Sequence, residues 1–216
     1  MFPYALLLLV PVLFAALHFF TGKYPFSPLT TLSCALIAAP FASPWILAAY
    51  ACSVVGDWFM AHSEGERGDT MLLGGIAGFF LAHGCFLLYA VTHAAPTPLA
   101  PLWILLAVAL AAGYAVFLFC HLYPAVPDRA LRGGITAYTG ISLTVMSVAL
   151  HLGAPRLPKA LFCLGIALIL FSDTLLALAR FLSKKACDRL VCPTYFACHV
   201  LVAASAIAGA AADGIL

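Results

Sequence analysis

Apolar residues run along almost the whole chain, interrupted at intervals by clusters of charged residues, proline and glycine. An uncharged apolar stretch of about 20 residues is long enough to span the hydrocarbon of a bilayer as a helix. Cutting at the polar clusters predicts helices at roughly 4–20, 28–42, 45–61, 70–93, 99–121, 130–151, 157–182 and 191–212. The second is the weakest of these, because Pro40 and Pro44 shorten it. The pattern predicts an all-α fold, a polytopic membrane bundle of eight transmembrane helices forming a single domain over residues 1–216.

Composition strengthens this reading. Of the 216 residues, 65% are apolar and 8% are charged, against about a quarter charged in an ordinary soluble domain, and the mean hydropathy is +1.10. A soluble fold is excluded. A net charge of +2 leaves no electrostatic footprint for nucleic acid. Met1 to Phe20 is apolar like a signal peptide, but no basic segment precedes it and the Thr21–Pro25 run after it is no small-residue cleavage site, so it reads as the first helix. Six of the eight cysteines fall inside apolar stretches as small filler, Cys187 and Cys192 share a loop region, and no C-x-x-C pair suggests zinc or redox work.

An even number of helices places both termini on one side, with the loops near Ala42, Ala95 and Gly153. That side carries only Arg156 and Lys159. The other carries Lys23, Arg67, Arg129, Arg132, Arg180, Lys184, Lys185 and Arg189, a bias that makes it cytoplasmic and the termini external. The short loops make a bacterial inner membrane the expected location.

The charges inside the spans change the picture most. An acid at the centre of a spanning helix costs ~2.5–3.5 kcal/mol, and this chain has two, Asp57 and Asp173. Their settings match, Gly56-Asp57-Trp58-Phe59-Met60-Ala61 against Ser172-Asp173-Thr174-Leu175-Leu176-Ala177, 116 positions apart. The same offset carries Phe80 onto Phe196 and His83 onto His199. This pattern predicts a duplicated four-helix unit, 1–96 and 97–216, with both copies in the same orientation. Asp57 and Asp173 then lie at matched depth near the cytoplasmic ends of their helices, roughly 7–11 Å deep.

Other polar residues arrive at similar depth. Ser53 is one turn from Asp57, Ser172 precedes Asp173, Tyr138 and Ser142 are one turn apart, and Tyr195 and His199 fall near the start of the last helix. With His83 these would line a polar cavity opening toward the cytoplasmic leaflet. Simpler readings stand beside this one. The aspartates would then be hydrogen-bonding glue between helices, His83 a core histidine, and Tyr138 and Tyr195 members of an interfacial belt. Gly74 and Gly78 form a small-xxx-small pair suited to helix packing.

Two carboxyls in one low-dielectric pocket do not both ionise readily, so one keeps its proton while the other is charged. That is the requirement for acid–base cleavage of an acetal or vinyl ether through an oxocarbenium-like cation. Such chemistry calls for no metal or cofactor, and the sequence has no H-E-x-x-H ligand spacing and no G-x-S-x-G elbow.

The motifs also carry a resemblance. Gly-Asp-x-x-Met-Ala at 56–61, Gly78-Phe79-Phe80-Leu81-Ala82-His83, Tyr138 with Met146, Phe171 to Ala177 and Tyr195-Phe196-Ala197 resemble the YhhN-type lysoplasmalogenase family over the third to eighth predicted helices. One departure is the pair Cys198 and His199, where the family pattern has a glutamine. The resemblance implies hydrolysis of the vinyl ether of lysoplasmalogens to a fatty aldehyde and glycerophosphocholine or glycerophosphoethanolamine. Asp57 and Asp173 would be catalytic, with a lysophospholipid substrate and membrane lipids as partners. A proton-coupled small-molecule or lipid transporter is the alternative, since repeats and intramembrane acids also mark such carriers. A scaffolding protein is the third reading.

Overall fold

The computed structural model describes residues 2–23, 25–64, 68–93, 101–152 and 156–214. Among these the chain forms helices and no strand. They are α1 (Phe2–Leu7), α2 (Leu9–Thr21), α3 (Phe26–Ala38), α4 (Pro44–Ala61), α5 (Gly68–Thr92), α6 (Pro101–Ala125), α7 (Arg129–Leu152), α8 (Leu157–Phe181) and α9 (Lys185–Ala212). The predicted loops near Ala95 and Gly153, and Arg67, lie outside the described residues.

Six helices, α4 to α9, are long and apolar enough to cross a membrane. The first two expected spans are shorter than the pattern suggested. At 13 residues each, α2 and α3 rise about 20 Å against a hydrocarbon core of about 30 Å. Proline explains both. The Pro11 ring has no N–H for the Leu7 carbonyl and crowds it, so the helix breaks at Leu8 between α1 and α2. Pro40 cannot continue the ladder to Leu36. The chain turns there instead, with the N–H groups of Phe41 and Ala42 both donating to the Ala38 carbonyl at 2.9 and 2.8 Å. Pro44 then opens α4 behind Ser43, whose hydroxyl accepts from the Ile46 N–H.

The last helix departs in the other direction. α9 begins at Lys185, not at 191, and runs through Pro193. Asp188 in its first turn favours that start. Cys187 and Cys192 therefore sit on a helix, as free thiols, and not in a loop.

The most extensive packing joins α4 to α5 and α8 to α9. α2, α3, α4, α5, α7, α8 and α9 follow one another as packed neighbours, and α9 closes the series against α2 and α3. In lipid the helices associate through van der Waals fit, since exposed apolar surface costs nothing there. The α4–α5 contact shows why glycine is needed. A Cβ on Gly78 would stand 3.0 Å from both the N and the Cα of Gly56, and one on Gly74 would meet the Phe59 ring at 2.7 Å. The main core gathers Tyr50, Phe86, Met146, Phe162, Ile166 and Val202.

α6 stands apart. It buries nothing from Pro101 to Val116 and packs mainly on α7. Leu102, Leu105 and Val108 on it are more than half exposed, as lipid-facing residues are. Tyr114 hydrogen-bonds it to α8, with its hydroxyl 2.5 Å from Oγ1 of Thr174 and donating to the Leu170 carbonyl at 3.4 Å, and Phe117 and Leu122 share an apolar cluster with Ala177 and Phe181. The helix changes to π geometry over Phe117–Leu122.

Candidate functional site

Asp57 lies four residues before the end of α4 and Asp173 eight before the end of α8, about 6 and 12 Å along the respective axes. Their depths differ more than the repeat pattern suggested. Both aspartates nevertheless line one cavity of about 740 Å³. Ser172, Tyr195, Met60 and Phe79 share its wall, and at its outer end stand Ser63, Glu64, Arg180, Lys185 and Asp188. The two acids thus face a common space inside the bundle.

Each has a hydroxyl partner from another helix. Thr31 on α3 donates to Oδ2 of Asp57 at 2.7 Å, and Tyr138 on α7 donates to Oδ2 of Asp173 at 2.5 Å. Tyr195 on α9 lies close to Asp57, but its buried hydroxyl closes no hydrogen bond. A histidine stands behind each tyrosine. The His83 ring meets Tyr138 edge-on at 5.0 Å, and His199 meets Tyr195 edge-on at 4.6 Å. The two imidazoles are fully buried and near enough to act on each other electrostatically.

Their nitrogens are poorly served. His83 Nδ1 pairs with the Phe79 carbonyl at 2.9 Å, so Nδ1 is the donor and Nε2 a bare acceptor. That Nε2, both ring nitrogens of His199, Ser53 Oγ and the Tyr195 hydroxyl have no partner among the described residues. Unsatisfied buried polar atoms are rare, and these five lie on α4, α5 and α9.

The expected site residues therefore divide. Asp57, Asp173, Ser172 and Tyr195 line the polar cavity. Tyr138 and Ser142 line, with Asp173, a second and mostly apolar slot between α5, α6, α7 and α8. Ser53, His83 and His199 line neither and form a buried layer among the helices. Two of the serine hydroxyls are engaged by backbone, Ser142 with the Tyr138 carbonyl and Ser172 with Val191 of α9, both at 2.9 Å. Arg180 lines both spaces, and its Nη2 donates to the Ser63 carbonyl at 2.7 Å.

Sequence reading missed Thr31. A threonine in a membrane helix commonly bonds its own helix four residues back, as Thr30 does with Phe26. Only the adjacent Thr30-Thr31 pair in an apolar stretch hinted that one of them reaches elsewhere. Among the described residues no three His, Cys, Asp or Glu side chains are grouped to hold a metal ion.

Two carboxyls that face one cavity, each with a hydroxyl donor, can give and take protons on a neutral bond placed between them. Comparison with curated proteins and with solved structures finds no match. The YhhN family model, however, matches residues 7–206, nearly the whole chain, and the chain belongs to the YhhN family.

Proposed function

We propose that this protein is a membrane hydrolase that cleaves the vinyl ether of lysoplasmalogens, releasing a fatty aldehyde and glycerophosphocholine or glycerophosphoethanolamine. Membership of the YhhN family supports the reaction class. The observation that carries the reading is the shared cavity lined by Asp57 and Asp173. A vinyl ether is uncharged and acid-labile, so its cleavage needs a proton donor, a carboxylate to face the cation and a water molecule. A lipid substrate also explains why such a cavity lies among membrane helices.

In this reading the substrate phosphate meets the basic rim, where Arg180 and Lys185 border the cavity. The excess of Lys and Arg at that end makes it the cytoplasmic one, with both termini external in a bacterial inner membrane.

The test is product analysis by mass spectrometry after purified protein in detergent meets a lysoplasmalogen. Acid–base groups contribute about 10²–10⁴-fold each, so Asp57→Asn and Asp173→Asn should each lower aldehyde release at least a hundredfold while still inserting and folding. Retained turnover in both variants overturns the reading. A carrier would instead move the lipid unchanged.

A further inference from the structure

We propose that the apolar slot beside Asp173, about 90 Å³ in volume, takes the first carbons of the substrate's alkenyl chain, and that this makes Asp173 the proton donor and Asp57 the carboxylate on the water side. The inference rests on the hydrolase reading above. Its ground is the way the two spaces meet. Asp173, Met60, Phe79, Leu176 and Arg180 line both, whereas Asp57 lines the polar cavity alone. The remaining wall of the slot is mostly apolar, with Leu72, Ile76, Phe117, Leu122 and Ile135 on it and hydroxyls from Tyr114, Tyr138, Thr139, Ser142 and Thr174 among them.

The direction of the slot suits a lipid in its own leaflet. It runs from Arg180 and Phe181 near the end of α8, past Asp173, to Leu170, Tyr114 and Ser142 deeper in the bundle. Arg180 is seven residues beyond Asp173, about 10 Å along the helix, a gap that a glycerol phosphate and a long arginine side chain together bridge. A phosphate at Arg180 and an ether at Asp173 leave the chain pointing inward, parallel to the lipid tails around it. The wall at that depth is thin, since α6 hydrogen-bonds to α8 through Tyr114 and buries nothing before its π segment. Phe117, Leu118 and Leu122 of that π segment line the slot, and π insertions in α-helices are frequent at functional sites.

The order of atoms in the substrate then separates the two acids. In an alkenyl ether the carbon that accepts the proton is on the chain side of the double bond, and the oxygen is on the glycerol side. Asp173 passes its proton to the chain-side carbon. The double-bond electrons form the new C–H bond and leave a cation shared between the other carbon and the oxygen. Water attacks that carbon from the polar cavity and gives a proton to the Asp57 carboxylate. In the last step the hemiacetal hydroxyl returns a proton to Asp173 as the carbon–oxygen bond to glycerol breaks, and Asp57 protonates the departing glycerol oxygen. One water is consumed, and both carboxyls return to their starting states.

Two measurements test this. Ala177→Leu and Ile76→Phe narrow the slot, and each should lower the ratio of kcat/KM for a hexenyl over an ethenyl substrate at least tenfold. Leu105→Trp, on the lipid face of α6, should leave the ratio unchanged. Slot variants that lower both substrates equally, or a slot that retains bilayer lipid while the ratio stays fixed, overturn the chain assignment. The second measurement is exchange in D2O. Asp57→Asn still protonates but captures water slowly, so unreacted substrate should gain deuterium at the chain-side carbon, and with Asp173→Asn it should not. Exchange with Asp173→Asn, or with neither variant, overturns the assignment of roles. Absence of aldehyde from the unaltered protein would sink the hydrolase reading itself, a result distinct from these.

Discussion

The Tyr138 hydroxyl donates to Oδ2 of Asp173 at 2.5 Å, joining α7 to α8 where the polar cavity meets the apolar slot. Once Asp173 has given up its proton, a hydrogen bond to its carboxylate contributes about 1.5–3 kcal/mol. Tyr138→Phe removes the donor and keeps the ring against His83, so aldehyde release should fall roughly ten- to a hundredfold, with the chain still folded by thermal melting in detergent. Unaltered turnover would show that Asp173 does not depend on this bond.

Thr31 holds Asp57 from α3. Thr31→Val keeps the shape and removes the hydroxyl, and should lower activity about tenfold or more on the same scale. Thr31→Ser should restore most of it. Activity assays of the two variants side by side separate the hydrogen bond from the methyl packing.

Two glycines of α5 should answer oppositely to alanine. Gly78 faces the backbone of Gly56, which cannot move aside as a side chain can, so Gly78→Ala should destabilise by about 1–3 kcal/mol. Gly84 has nothing within 4 Å of its missing Cβ. Gly84→Ala should stabilise the helix by about 0.5–1 kcal/mol. Melting temperatures of the purified variants give the comparison.

His199 sets a different test. Both its ring nitrogens are buried without a protein partner, a state that costs about 1–3 kcal/mol per group. His199→Leu should therefore raise the melting temperature, by about 2–4 °C for each kcal/mol recovered in a chain of this size. A fall of similar size would show that the ring holds a buried water.

The sequence displayed the large features because lipid makes them obvious. Long apolar runs can only be spans, which located α4 to α9 to within a few residues at most boundaries. Asp57 and Asp173 announced themselves by their cost, and Gly74 with Gly78 by their spacing. Other features depend on contacts between distant segments. Thr30 and Thr31 look alike in sequence, and only the position of α4 beside α3 gives Thr31 a carboxylate. Nothing in Phe117–Leu122 signals π geometry, since the segment holds neither glycine nor proline and none of its residues is unusual in an α-helix. The early start of α9 was hidden by Lys184, Lys185 and Arg189, which read as a cytoplasmic loop although Lys185 and Arg189 lie in the helix. His83 and His199 were expected at the cavity wall. The packing of α5 and α9 instead puts the tyrosines in front and the rings behind.

The two hairpins related by the 116-residue offset, α4–α5 and α8–α9, are also the most extensively packed pairs. The matched positions differ in environment, since Phe80 is 37% exposed and Phe196 only 2%.

Pro101–Ala125 counts 25 residues, about 37 Å of helix in a hydrocarbon layer of about 30 Å. Exposed to lipid over its first four turns, α6 is the element best placed to tilt when the membrane thins. A thinner bilayer would lean it across the mouth between α6 and α8, and a thicker one would stand it upright. In the hydrolase reading, the acyl composition of the host membrane then becomes a control on turnover that acts through mechanics, with no ligand and no change at either acid.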